Sequence, residues 1–282
     1  MRELSSRPFR EGFGFLEGPR WRDGRLWVSD IACKQVLCLD ADGQTIEALP
    51  TPGRPSGLGW LPDGDLLVAL MDHRTLLRRR GHEWEVHADL SRLTGADIND
   101  MVVSSQGMAY VTGIGYAEEE ERRSTGVILV RPDGSATMQS GELWRPNGCV
   151  ITPDQKTFLV AETRVHRLSR FTIGADGSLS NHQIVATLPA GSWADGMCLD
   201  VDGALWIADP KRRRCVRLAA NGVLTDVIDT VPTPCIACTL GGPHGRTLYL
   251  LLSELGDMAE LADRSKGRIE VATVEVPGAG SP

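Results

Sequence analysis

The chain of 282 residues has no run of about 18 uninterrupted apolar residues, so nothing in it reads as a membrane-spanning helix. Its first residues, MRELSSRPFREGFGF, lack the apolar core of roughly 7 to 15 residues that marks a secretory leader, and a cytoplasmic protein is expected. There is no basic excess. A net charge of -7 speaks against a nucleic-acid surface, and the one cationic cluster, KRRR at 211–214, reads as a solvated turn between strands. Amphipathic helical periodicity is almost absent, and no extra helix is expected. No second C-x-x-C accompanies Cys235 and Cys238, so a zinc site is not expected from them. Cys149, Cys198, Cys235 and Cys238 lie in apolar stretches, where a free thiol behaves as a small hydrophobe.

What is present is a repeat. A turn followed by a short apolar strand recurs six times: DGRLWVSD from 23, DGDLLVAL from 63, SQGMAYVT from 105, DQKTFLVA from 154, DGALWIAD from 202 and HGRTLYLL from 244. Each copy is preceded by another short apolar strand and followed by one or two more polar ones. Four strands per unit of 40 to 50 residues describe propeller blades. The expected fold is therefore all-β: a six-bladed β-propeller with four-stranded antiparallel blades, residues 1–282 forming one domain. The tail GRIEVATVEVP (267–277) has no unit of its own, and its pairing with an N-terminal strand would close the ring.

In a propeller the innermost strands line a central channel and run the same way, so their first residues gather at one mouth. Aligned on the turns, those residues are Glu17, Ser56, Asn99, Asn147, Asp195 and about Pro234. Two carboxylates in one tight site repel unless a cation compensates them. The set is all hard oxygen, and none of the six histidines falls at these positions, which suits Ca2+, Mg2+ or Mn2+ better than zinc. Turn chemistry is the plainer account of any one of these residues taken singly. The second strands end in Asp30, Glu162, Asp209 and Glu254, which either orient the ligating side chains or simply close turns.

Five stretches, EGPRWRDGRLWVSD, PSGLGWLPDGDLLVA, INDMVVSSQGMAYVT, RPNGCVITPDQKTFLVAET and ADGMCLDVDGALWIAD, resemble the SMP-30/gluconolactonase/LRE-like family along nearly the whole chain. The resemblance implies a six-bladed propeller, one divalent cation on the channel axis and hydrolysis of a lactone. It maps the metal ligands onto Glu17, Asn147 and Asp195, and a substrate-facing asparagine onto Asn99, with Asp100 following it as in the family. Ca2+ is the first expectation, with Mg2+, Mn2+, Zn2+ or Fe2+ as alternatives. Sugar-acid lactonases of the family usually carry arginine two residues before that asparagine, where this chain has Asp97. A less hydroxylated or differently charged lactone is expected for that reason, and Asp97→Arg should favour sugar-acid lactones.

The expected reaction is attack of water on a lactone carbonyl, with Asp195 as catalytic residue. Arg54, Trp144, Arg145 and Trp193 are expected at the pocket rim, although packing between blades would equally place the tryptophans; Tyr116 is a further wall candidate. The acidic segment 115–126 is a solvated loop or a lid over the mouth. Other ester hydrolysis, a strictosidine-synthase-like activity and a non-catalytic interaction propeller are the competing functions. The expected partner is a small lactone, with no nucleic acid or membrane, and the chain is expected to be a monomer or weak oligomer.

Overall fold

The Asp-Gly pairs make the tight turns that the repeat requires. Asp23 and Gly24 both have positive φ, 50° and 74°, as a two-residue hairpin with the right-handed twist of its strands demands. In the computed structural model, which describes residues 1–115 and 125–280, these hairpins build six small antiparallel sheets. Tyr116 and most of the acidic segment, 116–124, lie outside the described residues.

Blade one comprises Leu16–Arg22, Arg25–Asp30, Gln35–Leu39 and Thr45–Pro50, from the axis outwards. Blades two, three and four repeat this order, with inner strands Pro55–Trp60, Asp97–Val103 and Pro146–Ile151. Blade five starts on Met197–Leu199, and blade six on Cys235–Gly241. The ring closes as expected: Arg7–Phe13 is the outer strand of blade six and pairs antiparallel with Gly267–Thr273.

Three features depart from the sequence reading or extend it. Arg2–Leu4 adds a parallel fifth strand to blade five, fixed by Arg2 Nε to Asp226 Oδ1 at 2.7 Å, so the N-terminus clasps two blades. A short helix, Met258–Arg264, interrupts blade six between its second and third strands, against the expectation of no extra helix. Asp257 caps it by accepting from the N–H groups of Ala259 and Glu260. Seven residues present too few turns for a helical period to be visible in sequence. At the opposite end of the channel the chain runs back over blade five, Ala279 N donating to Leu199 O at 2.9 Å. Among the described residues no helix is long and apolar enough to cross a membrane.

The buried apolar residues divide into one cluster per seam between blades and a seventh at the channel mouth. The seam between blades five and six collects four thiols. A bulge between Cys235 and Ala237 resets the side-chain alternation, and Cys235 and Cys238 then share one face. That face meets Cys198 and Cys215 of blade five in the same apolar cluster. The C-x-x-C is core packing here, and its thiols are free.

Near the axis the inner strands come too close for side chains. A Cβ on Gly57 would lie 2.3 Å from Met101 N, and one on Gly148 would lie 2.4 Å from Asp195 O. Glycine is therefore required directly after the polar residue that opens these strands, which is the origin of the SG and NG pairs in the repeat.

Candidate active site

The inner strands bring the polar residues of five blades to one mouth, where a cavity of about 260 Å3 is lined by Glu17, Asn99, Asn147 and Asp195. A chain of side-chain hydrogen bonds runs around this floor. Ser56 Oγ donates to Asn99 Oδ1 (2.9 Å), and Asn99 Nδ2 donates to Asn147 Oδ1 (2.7 Å). Asn147 Nδ2 points to Thr163 Oγ1 (3.4 Å), whose hydroxyl donates to Ala194 O (2.7 Å). Asn147 also hydrogen-bonds the Asp195 carboxylate. Each amide is thus oriented by its neighbour, its oxygen keeping a second lone pair.

The carboxylates are in electrostatic conflict. Glu17 is 5% exposed, and burial, followed by repulsion from Asp195 and Asp100, pushes its pKa well above the usual carboxylate range. The Gly18 N–H and the charge of Arg20 pull the other way. Asp195 keeps part of its surface open to the cavity, but its Oδ1 is enclosed and lacks a hydrogen-bond partner among the described residues. Burial pushes Asp195 up to about 7; Arg145 opposes the shift and Asp100 adds to it. No group of three or more His, Cys, Asp and Glu side chains able to hold a metal occurs among the described residues. What the floor offers is two carboxylates and two amide oxygens, with an orphaned carboxylate oxygen among them, and this hard, anionic set fits a divalent cation.

Below the floor lies a pair that the sequence reading missed. Arg20 Nη2 donates to Asp100 Oδ1 at 2.8 Å, and the two side chains are 5% and 6% exposed. The guanidinium also donates to the carbonyls of Pro19, Leu58 and Met101. Thus Asp100 occupies the place that glycine holds in the neighbouring blades, and its charge is neutralised within the channel.

Asp30, Glu162 and Asp209 tie down the segment that enters their own blade's inner strand. Asp30 accepts from Gly14 N and Phe15 N, Glu162 from Trp144 N and Asp209 from Trp193 N, at 2.9 to 3.1 Å. Each anchored residue lies two or three positions before Glu17, Asn147 or Asp195. Asp72 does the same in blade two, accepting from Arg54 N at 3.1 Å. Glu254 instead faces Arg264 and Lys266 beside the helical insertion.

On the rim, Arg54, Arg145 and Trp193 line the cavity and Trp144 does not. Lys211 Nζ sits 5.0 Å from the centre of the Trp193 ring, while the rest of the KRRR turn is largely exposed. Asp97 meets the cavity through Arg54, whose Nη2 lies 2.7 Å from Asp97 Oδ2 and whose Nε lies 3.4 Å from Asp72 Oδ2. A guanidinium therefore does stand at this part of the rim, supplied by blade two.

Residues 15–254 match the family model described as SMP-30/Gluconolactonase/LRE-like region. A 6-deoxy-6-sulfogluconolactonase of Pseudomonas putida is 28% identical over 276 residues, covering 94% of this chain and 93% of its own length. An L-arabinolactonase of Azospirillum brasilense is 29% identical over 273 residues, covering 93% and 89%. The structure of a calcium-binding protein, regucalcin, from Agrobacterium tumefaciens superposes with a TM-score of 0.83. It is 23% identical, the match covers 98% of this chain and 96% of that one, and the likeness concerns the fold.

Proposed function

Because the chain belongs to the SMP-30/gluconolactonase/LRE-like family, we propose that it hydrolyses a small lactone at a divalent cation held by Glu17, Asn147 and Asp195. Ca2+ is our first choice. The observation that carries this reading is the floor itself: two carboxylates forced together, one oxygen of Asp195 without a partner among the described residues, and amides aligned beside them. Two relatives named as lactonases, matched over most of their length, support the reaction class.

The cation, when bound, supplies Lewis acidity toward the ester and a lower pKa for water. The chain's own residues do the rest. Asn99 Nδ2 spends one hydrogen on Asn147 and keeps another for a substrate oxygen. Asn147 is held by Asn99 and Thr163, so its oxygen is aimed without reorganisation when substrate arrives. Asp195 orients the attacking water and takes its proton. Water adds to the carbonyl carbon, the ring C–O bond breaks, and the ring oxygen leaves with a proton as the hydroxyl of a hydroxy acid. Asp30, Glu162 and Asp209 act at a distance, keeping the strand entries in place.

The test is a pH-indicator assay over a diverse lactone panel, before and after chelation. Hydrolysis that disappears in chelator and returns with Ca2+, Mg2+, Mn2+, Zn2+ or Fe2+ is expected. Undiminished turnover in the metal-free protein would remove the cation from the reading. A panel left wholly untouched by the loaded protein would remove the lactonase.

A further inference from the structure

The cavity has two chemically different halves. Its floor and one side, with Arg145, Asn147, Thr163 and Arg164 from blade four, are polar. The wall across the ring is built from Phe15, Ile31, Met71, Leu255 and Met258, contributed by blades one, two and six. None of these side chains donates a hydrogen bond, and only the two thioether sulfurs accept one, weakly. Ile236 and Leu261 pack behind the wall in a single apolar cluster, and the helical insertion of blade six thereby props it in place. At the lip Leu255 is 54% exposed, a large apolar side chain held in the open beside the cavity.

Beside the wall the rim offers little to offset this, since Arg145 and Arg164 stand on the polar side. Arg54, which reaches the cavity between the wall and blade three, is engaged by both Asp72 and Asp97. A ring bearing hydroxyls along the wall would exchange water for hydrocarbon and thioether, leaving its polar groups unsatisfied. An alkyl or aryl group would gain by leaving water there.

We propose that the substrate is a lactone carrying an apolar substituent, with the ester directed at the floor and the substituent covering Phe15, Ile31, Met71, Leu255 and Met258. The proposal rests on the hydrolase reading above. Met71 and Met258 are the adaptable part of the wall, since an unbranched thioether conforms to substituents of different shape. Specificity follows from the length of the substituent, not from a count of hydroxyls.

The experiment is a series of δ-lactones whose side chain grows one methylene at a time, with δ-gluconolactone as the hydroxylated comparison. On the loaded protein, kcat/KM should rise about fourfold per methylene, the factor equivalent to about 0.8 kcal/mol, until the wall is covered. Met71→Gln and Met258→Gln should flatten that slope. The matching lactams, which bind without opening, give a second readout through quenching of tryptophan fluorescence, and their affinities should climb with chain length in the same proportion. Turnover of δ-gluconolactone with no dependence on chain length would overturn the substrate class and leave the lactonase standing. Lactams that tighten with length while no lactone opens would do the reverse. Flat lactam affinities together with flat kinetics end the proposal.

Discussion

Asp195→Asn should make the protein more heat-stable in chelator and less stable than the parent once a cation is supplied. Glu17 and Asp195 share one floor, and each carboxylate is pushed toward its protonated form. A partly buried pair of like charges costs on the order of 1 to 4 kcal/mol at the effective dielectric of a protein. An amide of the same size removes that conflict. The parent gains about 2.7 kcal/mol from a ligand at a hundred times its dissociation constant, or about 5 to 10 °C at roughly 2 to 4 °C per kcal/mol. If loss of a charged donor weakens binding about a hundredfold, the variant gains only about 0.4 kcal/mol, near 1 °C. The two melting curves, recorded in EDTA and in excess Ca2+, should therefore exchange order. Equal cation-induced shifts in both proteins would refute the assignment of Asp195 as a ligand. A variant no more heat-stable than the parent in EDTA would refute the conflict itself.

Three further consequences are checked as directly. Gly148→Ala drives a methyl into Asp195 O, so it should cost about 1 to 3 kcal/mol and lower kcat/KM at least tenfold with the β signal in circular dichroism retained; a silent variant would mean the inner strands separate freely. Asp100→Asn leaves Arg20 charged and enclosed and should cost about 3 to 5 kcal/mol in urea unfolding, whereas a loss below about 1 kcal/mol would mean that water screens the pair. Asp97→Arg alone sets two guanidinium groups against each other at the rim. The exchange Arg54→Asp with Asp97→Arg should recover KM, while stability moves by less than about 1 kcal/mol because both side chains are about a third exposed; a KM indifferent to either change would take the pair out of substrate recognition.

Much of the floor was legible because a propeller writes one structural position many times. Glu17, Asn99, Asn147 and Asp195 stand at the same phase relative to their turns, and the structure places them around one cavity. The glycines beside them carry the same information in another form, since only close approach of inner strands makes Gly57 and Gly148 necessary. The outer carboxylates repeat as well. What their repetition could not say was which of two roles applied. Their bonds to the N–H groups of Phe15, Trp144 and Trp193 show a single device serving both, since closing the turn fixes the entry of the strand that carries the polar residue.

What phase cannot reveal is what arrives from another blade. Arg20 meets Asp100 across 80 positions of sequence, and Arg54 meets Asp97 across 43. Neither pair leaves a local trace, and Asp97 read alone looks like the loss of a cation when the cation has come from next door. The apolar wall is hidden for a different reason. Phe15, Ile31 and Met71 sit beside strand ends, where an apolar residue reads as ordinary core, and the helix carrying Met258 is too short to show a period. The repeated positions supply the floor that all such propellers can share, and the unrepeated ones decide what else the cavity can touch. A change of substrate in this fold can then leave the floor unaltered and proceed through loops such as 253–266, whose short helix adds Met258 to the side of the mouth that Phe15, Ile31 and Met71 already line and packs Leu261 behind them.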